Sequence, residues 1–199
     1  MRGVRSSGPA DVARQRVRRV PLRLALCALA PTVALTLAAS VYPALFVVLR
    51  RDPVALARGE IWRLATPALI QADLLDGRWL QTGAVWLLVA VVLSVAQRAL
   101  GVKRALLLYV LGALVGHAIG HLWQPYGAGC SVAGCGVLGG LAVWLVRARV
   151  VQVRIGAAFW LVAGVVATGL RDIHGPPLVV GALAGVFLVR SVPLPRALA

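Results

Sequence analysis

The sequence predicts an all-α membrane protein in which six transmembrane helices form one bundle. Three observations lead to this fold class. Of the 199 residues, 60% are hydrophobic and only 14% are charged, whereas soluble domains are typically about 45–50% apolar. The apolar residues are gathered in runs near the roughly 20 residues that a helix needs to cross a bilayer. The arginines cluster at the ends of these runs, a pattern that sets the orientation of membrane helices.

The chain divides into a basic leader, residues 1–21, a membrane domain, residues 22–190, and a short tail, residues 191–199. We expect the leader to be disordered and to remain attached. The apolar run that follows it is longer than the h-region of a cleaved signal peptide, so this run is predicted to be the first membrane helix.

The six predicted spans follow the apolar runs in order. The first run contains Pro31 and Pro43, which membrane helices tolerate. The longest uncharged run, residues 105–146, is about twice the length of a span. It is predicted to break at Gln124–Gly129, where proline and glycine favour a turn. The predicted spans are Leu24–Leu49, Trp79–Gln97, Ala105–Trp123, Ser131–Val146, Ile155–Leu170 and His174–Val189.

The net charge of +15 could indicate nucleic-acid binding or membrane topology. Most arginines lie at the ends of apolar runs, so we favour topology and predict no nucleic-acid partner. The basic side chains are nearly all arginine, and Lys103 is the only lysine. This composition favours a bacterial origin, and we expect a multi-pass protein of the bacterial plasma membrane.

The distribution of charge predicts that both ends of the chain are cytoplasmic. The leader is rich in arginine, and the turns after spans two and four are basic without acidic residues. Arg171 and the basic residues of the first outer loop are the exceptions. Five of the six acidic residues fall in predicted outer turns: Asp52, Glu60, Asp73, Asp76 and Asp172.

The first outer loop, Arg50–Arg78, is unusually apolar for a loop and contains the stretch GEIWRLATPALIQADLL. Tryptophan and apolar residues are favoured at the membrane interface. We therefore expect part of this loop to lie in the interface, although an ordinary extracellular loop is the alternative.

Ser131 is the lone hydroxyl in the glycine-rich stretch GAGCSVAGCGVLGG, at the outer end of span four. This span reaches only about 24 Å at 1.5 Å per residue, which is less than the bilayer core of about 30 Å. Its outer end is therefore expected to lie below the surface, at a cavity that water can enter. The free N–H groups of a helix start could stabilise an oxyanion there. An ordinary helix-capping serine is the alternative.

Two pairs of glycines have the spacing that lets membrane helices approach closely. Both spans that carry them run from the outer to the inner side, and are therefore parallel. If the pairs meet, Ser131 and His174 differ in depth by only about 3 Å, so that a hydroxyl and an imidazole could form a nucleophile–base pair. The pairs are Gly136 with Gly140 in span four and Gly181 with Gly185 in span six.

The motifs occur in an order that resembles the rhomboid intramembrane serine proteases. Gly129–Val132 is similar to the Gly-x-Ser-Gly motif of that family, and Gly136–Gly139 to the glycines that follow it. His174–Gly181 is similar to its His-x-x-Gly-x-x-x-Gly motif. Trp62–Arg63 matches its Trp-Arg pair in the first outer loop, and Gln97–Tyr109 its segment before span three, with Gln in place of Glu.

The resemblance implies a rhomboid-like six-helix bundle that cleaves transmembrane substrates without a cofactor or metal. Ser131 would be the nucleophile and His174 the base. The family holds the oxyanion with a His-x-x-x-Asn motif in span two. Gln81 is the best donor in the matching window here, and we predict that it helps to hold the oxyanion.

The sequence departs from these motifs, and the missing histidine in the outer part of span two, together with Val132 and Pro177, favours an alternative function. Val132 replaces the glycine after the serine, Pro177 replaces the first glycine after the histidine, and Cys135 stands where an aromatic often supports the histidine. Another alignment puts Leu178 at the histidine position and would leave the chain inactive. The alternative is thus a catalytically inactive rhomboid-like protein that binds membrane clients.

Two further groups of polar residues bear on the chemistry of the site. His117 and His121 lie one helical turn apart in span three, but Ala118 stands where a zinc protease needs glutamate, which excludes that class. These two histidines could still join His174 in a simple metal site, although we predict that they line a cavity. Asp172 precedes His174 by two residues, a spacing that does not face it on a helix, so no Ser-His-Asp triad is predicted.

Overall fold

The computed structural model describes residues 22–198, and within that range the chain is helical and has no β-strand. The predicted leader, residues 1–21, lies outside the described residues. Several short helical segments join the first two of the main helices. The six main helices are α1 Arg23–Val41, α2 Trp79–Leu100, α3 Val102–Trp123, α4 Cys130–Leu145, α5 Val151–Gly169 and α6 Gly175–Leu188.

Four of these helices, α1, α2, α3 and α5, are long and apolar enough to cross a membrane. The other two, α4 and α6, are also apolar but have only 16 and 14 residues. The prediction of an all-α membrane protein is therefore confirmed. That α4 and α6 also cross the bilayer, which would make six spans, stays a prediction.

Helix α1 is shorter than the predicted first span, Leu24–Leu49, which was wrong at its outer end. The helix ends at Val41, and a separate short helix, Pro43–Leu49, follows. Pro43 has no backbone N–H to continue the helix, and a proline disfavours helical geometry in the residue before it. Pro31, by contrast, lies within α1 and does not end it.

Helix α4 lies at the centre of the bundle, between α3 and α6. A Cβ atom on Gly181 would collide with the carbonyl oxygen of Gly136, and one on Gly185 would lie 2.9 Å from the Cα of Gly140. The glycines of α4 face both neighbours, since a Cβ on Gly139 would collide with the carbonyl oxygen of Leu178 in α6, and a Cβ on Gly136 would lie 2.6 Å from the Cα of Gly112 in α3. Glycine thus permits close approach of backbone to backbone on two sides of α4.

The first loop folds into a compact layer around Arg63, whose side chain is only 7% exposed. The Arg63 guanidinium forms an ion pair with Glu60 at 2.7 Å. It also donates hydrogen bonds to the carbonyl oxygens of Val47 and Arg50. These contacts tie the loop to the end of Pro43–Leu49. The ordered segments of the loop are Pro53–Ala57, Ile61–Leu64, Thr66–Leu69 and Ala72–Leu75.

Residues 191–198 fold back on the C-terminal end of α4. The indole nitrogen of Trp144 donates a hydrogen bond to the carbonyl oxygen of Val192 at 3.3 Å, and Arg147 donates one to Val189 at 2.9 Å. The side chain of Val192 is buried. The described part of the tail therefore packs on the bundle.

Candidate active site

Ser131 and His174 meet where α4 and α6 begin. The Ser131 Oγ atom lies 3.0 Å from His174 Nε2, although the two residues are 43 positions apart in sequence. Gly129 is the cap residue of α4, and no side chain caps this helix. Ser131 is therefore not a capping serine, and its hydroxyl contacts an imidazole instead. A hydroxyl within hydrogen-bond reach of a ring nitrogen is the arrangement that nucleophilic catalysis requires.

His174 also contacts a carboxylate, contrary to the prediction for Asp172. The Asp172 Oδ1 atom accepts hydrogen bonds from both the backbone N–H and Nδ1 of His174, each at 2.8 Å. The prediction assumed helical spacing, but the two residues lie in the turn before α6. An aspartate in such a turn commonly accepts from the backbone N–H two residues later, which also brings it close to that residue's side chain.

The carboxylate determines which nitrogen of the His174 ring carries the proton. Burial alone would raise the pKa of Asp172, but the hydrogen bonds and the charge of His174 hold this pKa below its usual range. An ionised carboxylate only accepts hydrogen bonds, so Nδ1 donates the proton. In the neutral ring, Nε2 is then free to accept the Ser131 hydroxyl proton.

Two cavities share Ser131 and His174. The first has a volume of about 310 Å³, and the second has a volume of about 220 Å³. The first has polar and charged side chains in its lining, which come from the first loop, α2, α3 and the turn after α3 and include Arg51, Gln71, Asp73, Gln81, His117 and Gln124. The second is lined by apolar side chains from α2 and α4, including Val85, Leu88, Val92, Cys135 and Leu138. The serine–histidine pair therefore has a polar cavity and an apolar one beside it.

Gln81, the oxyanion donor predicted from the sequence, lines the polar cavity, but its amide already donates a hydrogen bond. It is exposed, and its Nε2 atom donates to Asp73 Oδ1 at 3.2 Å. The N–H groups in the first turn of α4 lack helical carbonyl partners by their position in the helix. These backbone groups are therefore the donors best placed at Ser131.

Gln71 is a residue of the cavity that the sequence analysis missed. Its side chain is buried, its Nε2 donates to Asp73 Oδ2 at 2.7 Å, and its Oε1 lies 3.8 Å from Cys130 Sγ. A Cβ atom on Gly129 would lie 3.4 Å from both Gln71 Oε1 and Ser131 Oγ. The only sign of Gln71 in the sequence was a single amide side chain within an apolar stretch of the loop.

The departures from the sequence motifs are accommodated by packing. A Cβ atom on Gly116 of α3 would collide with Val132 and would lie 3.1 Å from Pro177 Cγ. Both bulkier residues therefore face a glycine. Leu178 is buried beside Gly164 of α5, and it is His174 that contacts Ser131. The structure gives no support to the alignment with Leu178 at the histidine position.

The histidines of α3 do not gather with His174 as metal ligands. His117 is fully buried, and its Nδ1 lies 3.1 Å from Arg51 Nη1. The Nδ1 atom of His121 is buried without a hydrogen-bond partner among residues 22–198. Within that range no three His, Cys, Asp or Glu side chains could together hold a metal ion. His117 lines the polar cavity as predicted, whereas His121 lines neither cavity beside Ser131.

Comparisons with known proteins point to one group of proteases. No family model matches the sequence. A segment of 90 residues is 34% identical to Rhomboid-like protease 3 of Toxoplasma gondii, and the match covers 44% of this chain and 32% of that protein. The chain thus spans about a third of the length of the curated relative that it matches. This partial similarity supports a relationship with rhomboid-like proteins.

Proposed function

We propose that this chain is a rhomboid-like intramembrane serine peptidase that cleaves transmembrane proteins with Ser131 and His174. The observation that carries the proposal is the 3.0 Å distance between Ser131 Oγ and His174 Nε2 at the edge of two cavities. The partial similarity to a rhomboid-like protease supports the same reaction class. We further propose a bacterial plasma-membrane protein with both ends in the cytoplasm, because arginine replaces nearly all lysine in the sequence and the arginines lie at the predicted cytoplasmic ends of the apolar runs.

The chemistry follows from the protonation states of the pair. The Ser131 oxygen attacks the carbonyl carbon of the scissile peptide bond while His174 Nε2 accepts the hydroxyl proton. When the tetrahedral intermediate collapses, the same nitrogen gives this proton to the leaving amine, and the carbonyl remains on Ser131 as an ester. A water molecule then gives a proton to Nε2 and attacks the ester. Ser131 regains a proton as the acid product leaves.

Asp172 serves as a positioning residue in this scheme. It holds the His174 ring by Nδ1 and stabilises the imidazolium that forms during each proton transfer. The side chains of His174 and Asp172 are 43% and 51% exposed, so solvent weakens their interaction. The contribution of Asp172 is therefore smaller than that of a buried carboxylate.

The oxyanion is assigned to backbone N–H groups in the first turn of α4. These groups and the positive end of the helix dipole stabilise a negative charge beside Ser131. A preorganised donor of this kind contributes about 3–4 kcal/mol to the transition state. Gln81 could contribute only after its amide leaves Asp73.

The apolar surfaces provide a route for a transmembrane substrate. The cavity of about 220 Å³ opens beside Ser131 between apolar side chains of α2 and α4. A further apolar groove of about 320 Å³ runs between α2, α4 and α5, with Val91, Leu141 and Trp160 in its lining. An apolar substrate helix would fit this side of the bundle, while its cleavage site unwinds into the polar cavity.

The test is cleavage of a model transmembrane substrate by the purified protein in lipid. We expect wild-type protein to cleave it and to be labelled by a fluorophosphonate probe at Ser131. Ser131→Ala should abolish both signals. Ser40→Ala, which changes a serine of α1 that lines neither cavity, is the matched control and should retain both.

One observation favours a second function, the binding of membrane clients without cleavage. The side-chain oxyanion donor predicted from the sequence, Gln81, is held by Asp73. If wild-type protein neither cleaves nor reacts with the probe, but a photo-crosslinker in the apolar cavity captures transmembrane peptides, the client-binding function replaces the peptidase.

A further inference from the structure

The polar cavity contains a buried positive charge that has no acidic partner among residues 22–198. Arg51 is only 1% exposed and lines the cavity beside Ser131. Its Nε donates to the carbonyl oxygen of Gln124 at 3.0 Å, and its Nη1 to His117 Nδ1 at 3.1 Å. Its Nη2 is buried and has no hydrogen-bond partner within residues 22–198. None of the ion pairs in that range includes Arg51.

A second buried arginine in the same loop, Arg63, has the acidic partner that Arg51 lacks among residues 22–198. Arg63 is nearly as buried as Arg51, but the fold gives it Glu60 at 2.7 Å. Burying a charge costs several kcal/mol unless an opposite charge and hydrogen bonds compensate for it. The fold supplies this compensation for Arg63, whereas a carboxylate for Arg51 would have to come from outside the described chain.

His117 adds a second unused donor to the same cavity. Arginine has no acceptor atoms, so His117 Nδ1 must accept the bond from Arg51, and Nε2 carries the ring proton. The Nε2 atom is buried and has no partner within residues 22–198. Arg51 and His117 thus offer unpaired donors, and the ligand that matches them is rich in acceptors.

The surroundings of the guanidinium favour an incoming acceptor. A Cβ atom on Gly127 would lie 3.1 Å from Arg51 Nη2, so glycine keeps side-chain atoms away from the unpaired group. The carboxylate that already lines this cavity, Asp73, accepts hydrogen bonds from Gln71 and Gln81 rather than from Arg51. Asp73 therefore does not satisfy the buried charge.

We propose that Arg51 and His117 form a subsite for a carboxylate side chain, so that the substrate carries Asp or Glu at a residue flanking the scissile bond. This inference rests on the proposed peptidase function for the identity of the ligand. The carboxylate oxygens accept hydrogen bonds from Arg51 Nη2 and His117 Nε2, and the negative charge neutralises the guanidinium. Charge-assisted bonds of this kind are stronger than bonds between neutral groups.

The test is a binding measurement that does not depend on cleavage. Full-length Ser131→Ala protein in lipid nanodiscs is titrated with fluorescent transmembrane peptides, and binding is followed by anisotropy. The peptides differ at one residue, which is Asp, Asn, Ala or Lys, and this residue is moved stepwise through the segment that meets the cavity. At one position we expect Asp to bind at least about tenfold more tightly than Asn, and Lys most weakly.

Variants of Arg51 test whether this residue causes the preference for the Asp peptide. Arg51→Gln should bring the affinities for the Asp and Asn peptides together, and Arg51→Lys should retain part of the preference for Asp. Arg50→Gln is the matched control, because Arg50 is the neighbouring residue but does not line the cavity. It should leave the ratio of the two affinities unchanged. Because each ratio compares two peptides on one protein, partial loss of active protein does not alter it.

Equal affinities for Asp and Asn peptides at every position would overturn the subsite, even if Arg51→Gln fails to fold. The two proposals fail separately. If wild-type protein cleaves substrates without preference for an acidic residue, the carboxylate subsite is overturned and the peptidase function stands. If the protein prefers the Asp peptide, and this preference depends on Arg51, but no cleavage occurs, the peptidase function is overturned and the carboxylate subsite stands.

Discussion

Two histidines, His174 and His117, line the same cavity in opposite electrostatic settings. His174 has a carboxylate, Asp172, at Nδ1, and its Nε2 faces a hydroxyl. His117 has a guanidinium at Nδ1, so its Nε2 already carries a proton. The His174 ring can accept a proton at Nε2, the nitrogen that faces Ser131. The His117 ring can only donate a proton at its own Nε2. The neighbour at Nδ1 thus decides which histidine can be a base.

The largest expected effect comes from removing either member of the Ser131–His174 pair. Ser131→Ala and His174→Ala should each lower the rate constant for cleavage by about 10⁴-fold or more, since the two groups act as a unit. For the same reason the double variant should be no slower than either single variant. Single-turnover cleavage in nanodiscs measures all three. A double variant slower by the product of the two single effects would mean that the residues act independently.

The next effect concerns the packing that brings His174 to Ser131. In Gly181→Ala the new methyl group meets the carbonyl oxygen of Gly136, and overpacking of this kind costs about 1–3 kcal/mol of unfolding free energy. A shift of about 1 Å between reacting groups can also cost about 100-fold in rate.

Thermal unfolding and cleavage rates of Gly181→Ala are compared with those of Gly83→Ala. A Cβ atom on Gly83 in α2 would have no atom within 4 Å, so this control should keep its melting temperature. If Gly181→Ala matches the control in both measurements, the contact of α4 with α6 does not position His174.

A smaller effect is expected for the carboxylate that distinguishes His174 from His117. Asp172→Asn keeps an acceptor oxygen but loses the charge, and we expect cleavage to slow by about tenfold because the pair is half exposed. Asp172 has a pKa below its usual value, so its charge is present at neutral pH and is lost only as the pH falls through that lowered pKa.

Asp172 should therefore keep its charge between about pH 8 and pH 5, above the ordinary aspartate pKa of about 3.9, so a change of the ratio of wild-type to Asp172→Asn rates within this range comes from a group other than Asp172. Rates across this range are measured with one substrate. A ratio near one at pH 8 would show that the carboxylate does not assist His174.

The smallest effect is expected for His121, the third histidine. It lies one turn from His117 on α3 but lines neither cavity beside Ser131. His121→Ala should leave the cleavage rate within about twofold of wild type after correction for the amount of folded protein. An essential His121 together with a dispensable His174 would show that the base has been assigned to the wrong helix.

The parts of the site that could be predicted from the sequence were those that depend on regular helix geometry. The all-α membrane class followed from composition and the apolar runs. The glycine spacing in two parallel helices predicted similar depths for Ser131 and His174, because the rise per residue is constant along a helix. The break after Val41 was missed, since proline is tolerated within membrane helices and its local effect depends on neighbouring packing.

Other parts of the site depended on irregular backbone. Asp172 was wrongly excluded because its contact with His174 is made in a turn, where helical spacing does not apply. Arg51 and Gln71 went unnoticed as cavity residues, since nothing in the pattern of a loop predicts which side chains turn inward. Gln81 was predicted to face the reaction, but nearby Asp73 holds its amide.

The glycine contacts of α4 have a mechanical consequence. Gly136 approaches the backbone of both α3 and α6, so few flexible side chains stand between these three helices at this level. A side chain can absorb displacement by changing rotamer, but contacting backbones cannot. We therefore expect a change in bilayer thickness or lateral pressure to tilt the three helices together. The alignment of the serine with the imidazole would then be insulated from the lipid, while the outer helices α1 and α5 accommodate the deformation.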